Sequence, residues 1–285
     1  MMYHIRRSNA VAVALVVVGL ANGAAAQDTG LRPGWSFDVA PYVWLPTVGA
    51  NLRYHLPGNI SGTADVSADP GTYTDELNFA LAFAGSARYD RFTLLTDFMY
   101  VSASASTSNV ESANIIGVGR NPISSVDNIG TDSTLKTTLW TLAGGYTLAS
   151  GPWGHVDAIG GFRYLGIDAS TNYNLSLQLM GPRGNAGPTF GGSGRLSGSD
   201  NIWNGIVGLR GRLRLGEGGF FLPYYVDVGT GDSNLTWQAF GGIGYQTGPV
   251  GVSLGWRYLS FDQGGNSLVR DMTMSGAYLA VNFSF

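Results

Sequence analysis

The sequence predicts an all-β fold, a transmembrane antiparallel up-and-down β-barrel of about ten strands, from three observations. From Trp35 onward apolar and small or polar residues alternate with period two, which is the side-chain period of a strand. The parity opposite the apolar one carries Gly, Ala, Ser and a few arginines, and aromatic residues gather near segment ends. The charged fraction of the 285 residues is 12%, against about 25% in ordinary soluble domains, which argues against a soluble enzyme. After residue 26 no stretch approaches the roughly 20 apolar residues that a spanning helix needs, so a helical membrane protein is excluded.

Residues 1–26 read as an export signal ahead of a barrel domain over 27–285. Arg6 and Arg7 precede the apolar run Ala10 to Leu20, and Ala24-Ala25-Ala26 supplies small residues before Gln27. The hydrophobic flank of a twin-arginine signal is missing, so the general secretory route is expected. Removing this segment takes two of the 16 Lys and Arg and none of the 19 acids, which leaves 14 against 19 and a formal charge of −5. Lys136 is the only lysine, so there is no cationic cluster for a nucleic-acid partner. With no cysteine there is neither a disulfide framework nor a thiolate nucleophile or metal ligand.

The strands follow from the alternation and the turns between them. The first, 35–52, contains Pro41 and Pro46. The second, 75–89, sets Leu77, Phe79, Leu81, Phe83 and Tyr89 against Asn78, Ala80, Ala82, Ala84, Ser86 and Arg88. Asp90-Arg91 turns the chain into 91–106, and a long connection near 107–132 leads to 133–149. Ser150-Gly151-Pro152 opens 153–171, whose alternation persists through Leu175, Leu177 and Leu179, so this strand is expected to project before a Gly-rich loop at Gly181 to Gly198. Strand 201–215 places Trp203, Val207, Leu209, Leu213 and Leu215 on one face and Arg210, Arg212 and Arg214 on the other.

Gly216 to Gly219 then connects to 220–229, a short link at 230–233 to 234–246, and Thr247-Gly248-Pro249 to 250–261. In the last of these Val250, Val252, Leu254, Trp256 and Tyr258 oppose Gly251, Ser253, Gly255 and Arg257. After a connection at 262–271, the closing strand 272–285 sets Ala277, Leu279, Val281, Phe283 and Phe285 on the apolar face. Short and long connections alternate, with other long ones near 57–75 and 171–200. Eight or twelve strands stay open, because prolines interrupt the first segment and long loops can hide hairpins.

A soluble β-sandwich would carry Lys and Glu on its polar parity, whereas Gly, Ala, Ser and Arg suit a crowded interior. Turning Arg210, Arg212 and Arg214 to lipid would cost about 2–4 kcal/mol each near the midplane, so they are placed inward. Trp35, Tyr89, Phe92, Tyr146, Phe220, Tyr245 and Phe285 form one aromatic band, and Phe79, Tyr100, Tyr164, Trp203, Trp237 and Tyr258 the other.

The closing run Tyr278 to Phe285, with alternate apolar residues and a final phenylalanine, resembles the C-terminal signal of bacterial outer-membrane β-barrel proteins. Phe37-Asp38-Val39-Ala40-Pro41-Tyr42-Val43-Trp44 resembles a recurrent start among uncharacterised small barrels of Gram-negative bacteria. The resemblance spans the whole of 27–285. It implies residence in outer-membrane lipid, short turns and both termini in the periplasm, and long loops at the cell surface. It also implies that the barrel-assembly machinery reads Phe283 and Phe285 during biogenesis. A monomer without cofactor is expected.

Inward parity collects a polar network of Asp38, Arg88, Asp97, Asp157, Arg163, Arg210, Arg212, Asp227 and Arg257, with His155 and Gln238 beside it. Side chains fill barrels of about eight strands and leave aqueous channels at 16 to 18, so about ten strands lie near the filled end. Arg210 and Asp227 flank the turn at Gly216 to Gly219 as diagonal neighbours and are expected to form a salt bridge.

The leading functional expectation is a non-enzymatic surface or structural barrel with a largely plugged lumen and long extracellular loops. A narrow porin-like channel for small solutes and an outer-leaflet hydrolase remain as alternatives. No catalytic residue or metal site is assigned. The pair in His155-Val156-Asp157 faces inward near the periplasmic end, and His55 has no Ser or Asp pattern beside it. Asp65, Asp69, Asp75 and Glu76 lack the spacing of a calcium loop.

Overall fold

The computed structural model describes residues 34–56, 60–74, 77–107, 126–180, 186–263 and 269–285. The segment expected to be an export signal lies outside them, as do Asp75 and Glu76. The chain order is β1 (Trp35–Leu56), β2 (Ile60–Ala68), the helical turn α1 (Pro70–Tyr73), β3 (Leu77–Tyr89), β4 (Phe92–Thr107), β5 (Val126–Gly151), β6 (Gly154–Met180), β7 (Ala186–Arg214), β8 (Phe220–Gly231), β9 (Leu235–Thr247), β10 (Val250–Asp262) and β11 (Val269–Ser284). Neighbours in sequence pair antiparallel from β3 to β11, and β11 returns to pair with β1 along its length.

The inner part of β1 pairs with β3 over Trp35–Pro41, whereas its outer part pairs with β2 over Val48–Leu56. β2 therefore extends the wall beyond the closed sheet, and ten staves, β1 and β3 to β11, make the barrel. Closure satisfies the backbone donors and acceptors of both edge strands, which a hydrocarbon surrounding demands. The backbone of Phe285 exchanges two hydrogen bonds with Phe37, at 2.8 and 3.1 Å, at the foot of this seam.

Four expected connections are corrected. The connection near 57–75 contains β2 and α1, β5 begins at Val126 inside the expected 107–132 link, and β11 begins at Val269. The largest correction is the Gly-rich loop at 181–198. From Ala186 onward it is strand, paired with β6 in a register that runs from Met180↔Ala186 down to Gly154↔Leu213. Ladder bonds need only backbone groups, so this Gly- and Ser-rich run can follow the projecting β6.

The short turns carry the left-handed residues that tight hairpins require: Asp90 at φ 49°, Gly216 at 69° and Gly248 at 58°. The outer wall bears the residues assigned to it, with Phe92, Val207, Leu254 and Trp256 all more than half exposed. So broad an apolar exterior suits lipid and not water.

Both aromatic bands are physically paired across strands. At the short-turn end Trp35 meets Tyr89 (ring centroids 5.2 Å apart), Phe92 meets Tyr146 (5.3 Å) and Phe220 meets Tyr245 (4.9 Å). At the opposite end Phe79 meets Tyr100 (6.0 Å), Tyr164 meets Trp203 (4.6 Å) and Trp237 meets Tyr258 (4.6 Å). Such pairs contribute about 0.5–1.5 kcal/mol each beyond burial.

Candidate functional site

The interior is the candidate site, and it is built in tiers. Nearest the short turns, Arg88 on β3 reaches across to Asp157 on β6. The Arg88 Nη2 contacts Asp157 Oδ2 and its Nη1 donates to Asp157 Oδ1 at 3.3 Å. Thr147 on β5 accepts from Arg88 at 2.5 Å and donates to Asp157 at 2.7 Å, so it stitches the pair together. Two further nitrogen groups look at the same carboxylate: the Arg210 guanidinium, whose Nε stands 3.8 Å from Asp157 Oδ2, and the His155 imidazole, whose Nε2 stands 3.9 Å from it. Above this tier Leu95, Ala143 and Ile159 pack together with Tyr225 beside them.

The next tier ties together six staves. Arg163 on β6 donates from Nη1 to Asp227 Oδ1 on β8 at 3.0 Å, and its Nη2 contacts Oδ2. Thr236 and Gln238 on β9 accept further bonds from the same guanidinium, each at 3.3 Å. Gln238 Oε1 also accepts from Arg257 Nη2 at 2.9 Å, which links this pair to a second one. Arg257 on β10 meets Asp97 on β4 at 2.9 Å and donates to Tyr42 OH at 3.2 Å, while Tyr42 donates to Asp97 at 2.5 Å. The Arg257 guanidinium also lies 4.6 Å over the Trp44 ring, a cation–π contact.

Gly208 explains why Arg163 and Asp227 meet although β7 runs between their strands. It lies on the inward parity of β7, and a Cβ there would come within 2.8 Å of Asp227 Cβ and 2.2 Å of Val226 O. The missing side chain leaves the space through which the carboxylate reaches β6.

Toward the end opposite the short turns the lumen becomes apolar. Leu139, Leu165, Ile202, Leu259, Phe261, Met272 and Met274 form one cluster with Tyr42, Trp44 and Met99, and Leu165 and Leu259 have no exposed surface at all (0%). This seal was missed in the sequence, and its signal was the apolar residues on the inward parity, such as Phe261 after Leu259 and Met274 after Met272.

The expected polar residues are therefore brought together in three pairs, Arg88 with Asp157, Arg163 with Asp227 and Arg257 with Asp97. The expected Arg210–Asp227 salt bridge is not among them. Register sets Arg210 opposite Asp157 on β6 and Tyr225 on β8, and Asp227 is taken by Arg163. Arg212 donates to Gln246 at 2.5 Å and stacks 3.5 Å over Phe221, while Asp38 accepts from Ser284 at 2.6 Å at the mouth. His155 and Asp157 share the inward face, but 3.9 Å is beyond hydrogen-bond reach and does not orient a catalytic pair. The side chain of His55 lies outside the described residues, and Asp69 accepts from Thr47 at 2.9 Å.

No protein-family model matches the chain, and no curated protein matches it. Solved structures do. The outer membrane protease OmpT from Escherichia coli is similar at 12% identity and a TM-score of 0.48, covering 89% of this chain and 97% of that one. The translocator domain of the autotransporter NalP from Neisseria meningitidis is similar at 15% identity and a TM-score of 0.40, with 90% of each chain covered. Ail, the attachment invasion locus protein of Yersinia pestis, is similar at 9% identity and a TM-score of 0.33, with 89% and 100% covered. The fold itself, a closed antiparallel barrel, rests on the pairing of its ten staves, in which β11 returns to β1.

Proposed function

We propose that the protein is a non-conducting barrel of the bacterial outer membrane with a structural or surface-binding role, whose working surface is the set of long hairpins opposite the short turns. One observation carries this reading: a full tier of the lumen, from Leu139 through Leu165, Ile202 and Leu259 to Phe261, has at most 2% of its surface exposed. Beneath it Arg163 and Arg257 are equally buried, so polar and apolar tiers close the bore in series. The projecting β6–β7 hairpin and the β1–β2 extension supply backbone well beyond the closed sheet for contacts at the cell surface. On the same reading residues 1–26 are the export signal.

Planar-bilayer recording tests the proposal. The refolded barrel should give no steady single-channel current. A steady open-state current that Arg257→Ala alters would replace this reading with the narrow solute pore, and hydrolysis of peptide or lipid-ester substrates by the purified barrel would replace it with an enzyme.

A further inference from the structure

The lumen below the seal is not equally filled, and its charges are not equally matched. In the tier nearest the short turns the two guanidiniums of Arg88 and Arg210 face the single carboxylate of Asp157. That carboxylate is already engaged, since Oδ1 accepts from both Arg88 and Thr147 and Oδ2 contacts Arg88. Arg210 is left with an ion pair at 3.8 Å that is too long for a hydrogen bond. Among the described residues its guanidinium has no hydrogen-bond partner, and neither has the imidazole of His155. A guanidinium has five donors in a fixed fork, and an inward one without acceptors is costly unless something supplies them.

Both groups can be reached. The Arg210 and His155 side chains keep 23% and 24% of their surface, whereas Arg163 and Asp227 in the next tier keep none (0%). Register places them together, because on adjacent strands His155 faces Arg212 and Asp157 faces Arg210. The side chain of Arg212, held by Gln246 and stacked on Phe221, adds positive charge one inward step nearer the mouth. The carboxylate of Asp38 offsets one cation, and three arginines against Asp38 and Asp157 still leave one positive charge in excess. The apolar seal closes the other end, so access is from the short-turn side alone.

We propose that this half-open chamber binds a small tetrahedral oxyanion of the phosphate class, held by the free fork of Arg210 with His155 beside it. The guanidinium fork matches two oxygens of such an anion, and a low-dielectric wall strengthens the attraction over what the same residues would exert in water. The chamber faces the lumen and not lipid, so the ligand is a soluble anion rather than a lipid headgroup.

The test is calorimetric titration of the refolded barrel in detergent with inorganic phosphate, against sodium chloride of equal ionic strength. Wild type should bind one phosphate, and Arg210→Met should weaken binding at least tenfold, with His155→Asn weakening it less. Arg91→Ala, in the Asp90-Arg91 turn outside the chamber, should bind as wild type does. Heat-modifiable migration on a detergent gel verifies that each variant is folded, and Arg210→Lys, which keeps the charge but loses the fork, should bind more weakly than wild type. Absence of phosphate binding to wild type at millimolar concentration, or equal binding by wild type and folded Arg210→Met, overturns the proposal. Binding that phosphate-headgroup vesicles compete away would move the site to the lipid face and overturn it as well.

Discussion

Removing Asp227 while keeping Arg163 should be among the most damaging single changes in the barrel. Both side chains are completely buried, and the carboxylate supplies two charge-assisted contacts to the guanidinium. Each such bond is worth about 1.5–3 kcal/mol, and Asp227→Ala leaves Arg163 with only the neutral acceptors Thr236 and Gln238 at 3.3 Å. The expected loss is about 3–5 kcal/mol, the usual cost of stranding one member of a buried pair. The double variant Arg163→Met with Asp227→Leu should recover most of it. The acceptors it abandons keep other bonds, because Thr236 still donates to Ser260 O at 2.9 Å and Gln238 still accepts from Arg257 at 2.9 Å. Urea unfolding of the barrel in lipid vesicles, followed by heat-modifiable migration, measures both. If Asp227→Ala stays within about 1 kcal/mol of wild type, or the double variant costs the sum of the two singles, then the pair is not the buried, coupled unit described.

Two further outcomes are expected. Gly276→Val should destabilise the seam between β11 and β1 by about 1–3 kcal/mol or prevent closure, because a Cβ there would lie 2.0 Å from Leu45 O, whereas Gly241→Ala, with nothing within 4 Å, should stay within about 0.5 kcal/mol; the same unfolding assay reads both. In vesicles of lipids with brominated acyl chains, a variant whose only tryptophan is Trp203, 47% exposed on the outer wall, should lose most of its fluorescence, while one with only Trp44, 6% exposed inside the lumen, should keep it; quenching of both alike would remove the inside-outside assignment.

The parts of this fold that were legible in the sequence are those where the two parities of a strand differ in chemistry. Arg210, Arg212 and Leu209, Leu213 on one strand cannot share a face, so β7 could be oriented, and the aromatic bands followed once the turns were placed. Legibility fails where the contrast vanishes. The run from Ala186 to Ser199 is rich in Gly and Ser, on both parities, so it reads as a loop although its backbone continues the ladder with β6. Inward Leu259 and Phe261 continue the parity that Ser253 and Arg257 mark as polar lower on the same strand, which hid the apolar seal. The ion pairs escaped for a topological reason: the cross-strand rule finds partners on adjacent strands, but Arg163 reaches past β7 through the gap at Gly208, and Arg257 crosses the bore to β4. Sequence parity placed these side chains inside without indicating which wall they would meet.

That the three guanidinium–carboxylate pairs join staves that are not neighbours also bears on the barrel's lifetime. Arg88 and Asp157 lie 69 residues apart, Arg163 and Asp227 64, and Arg257 and Asp97 160 (257 − 97), so no hairpin can form any of these contacts as it zips. They require the sheet to curl until staves two or more apart face one another across the bore, so they are expected to form late in folding. Interactions absent from the transition state leave the rate of folding unchanged and slow the reverse step, by about tenfold for each 1.4 kcal/mol they contribute. The cross-bracing of the bore is thus expected to act on how long a finished barrel persists more than on how quickly one is made.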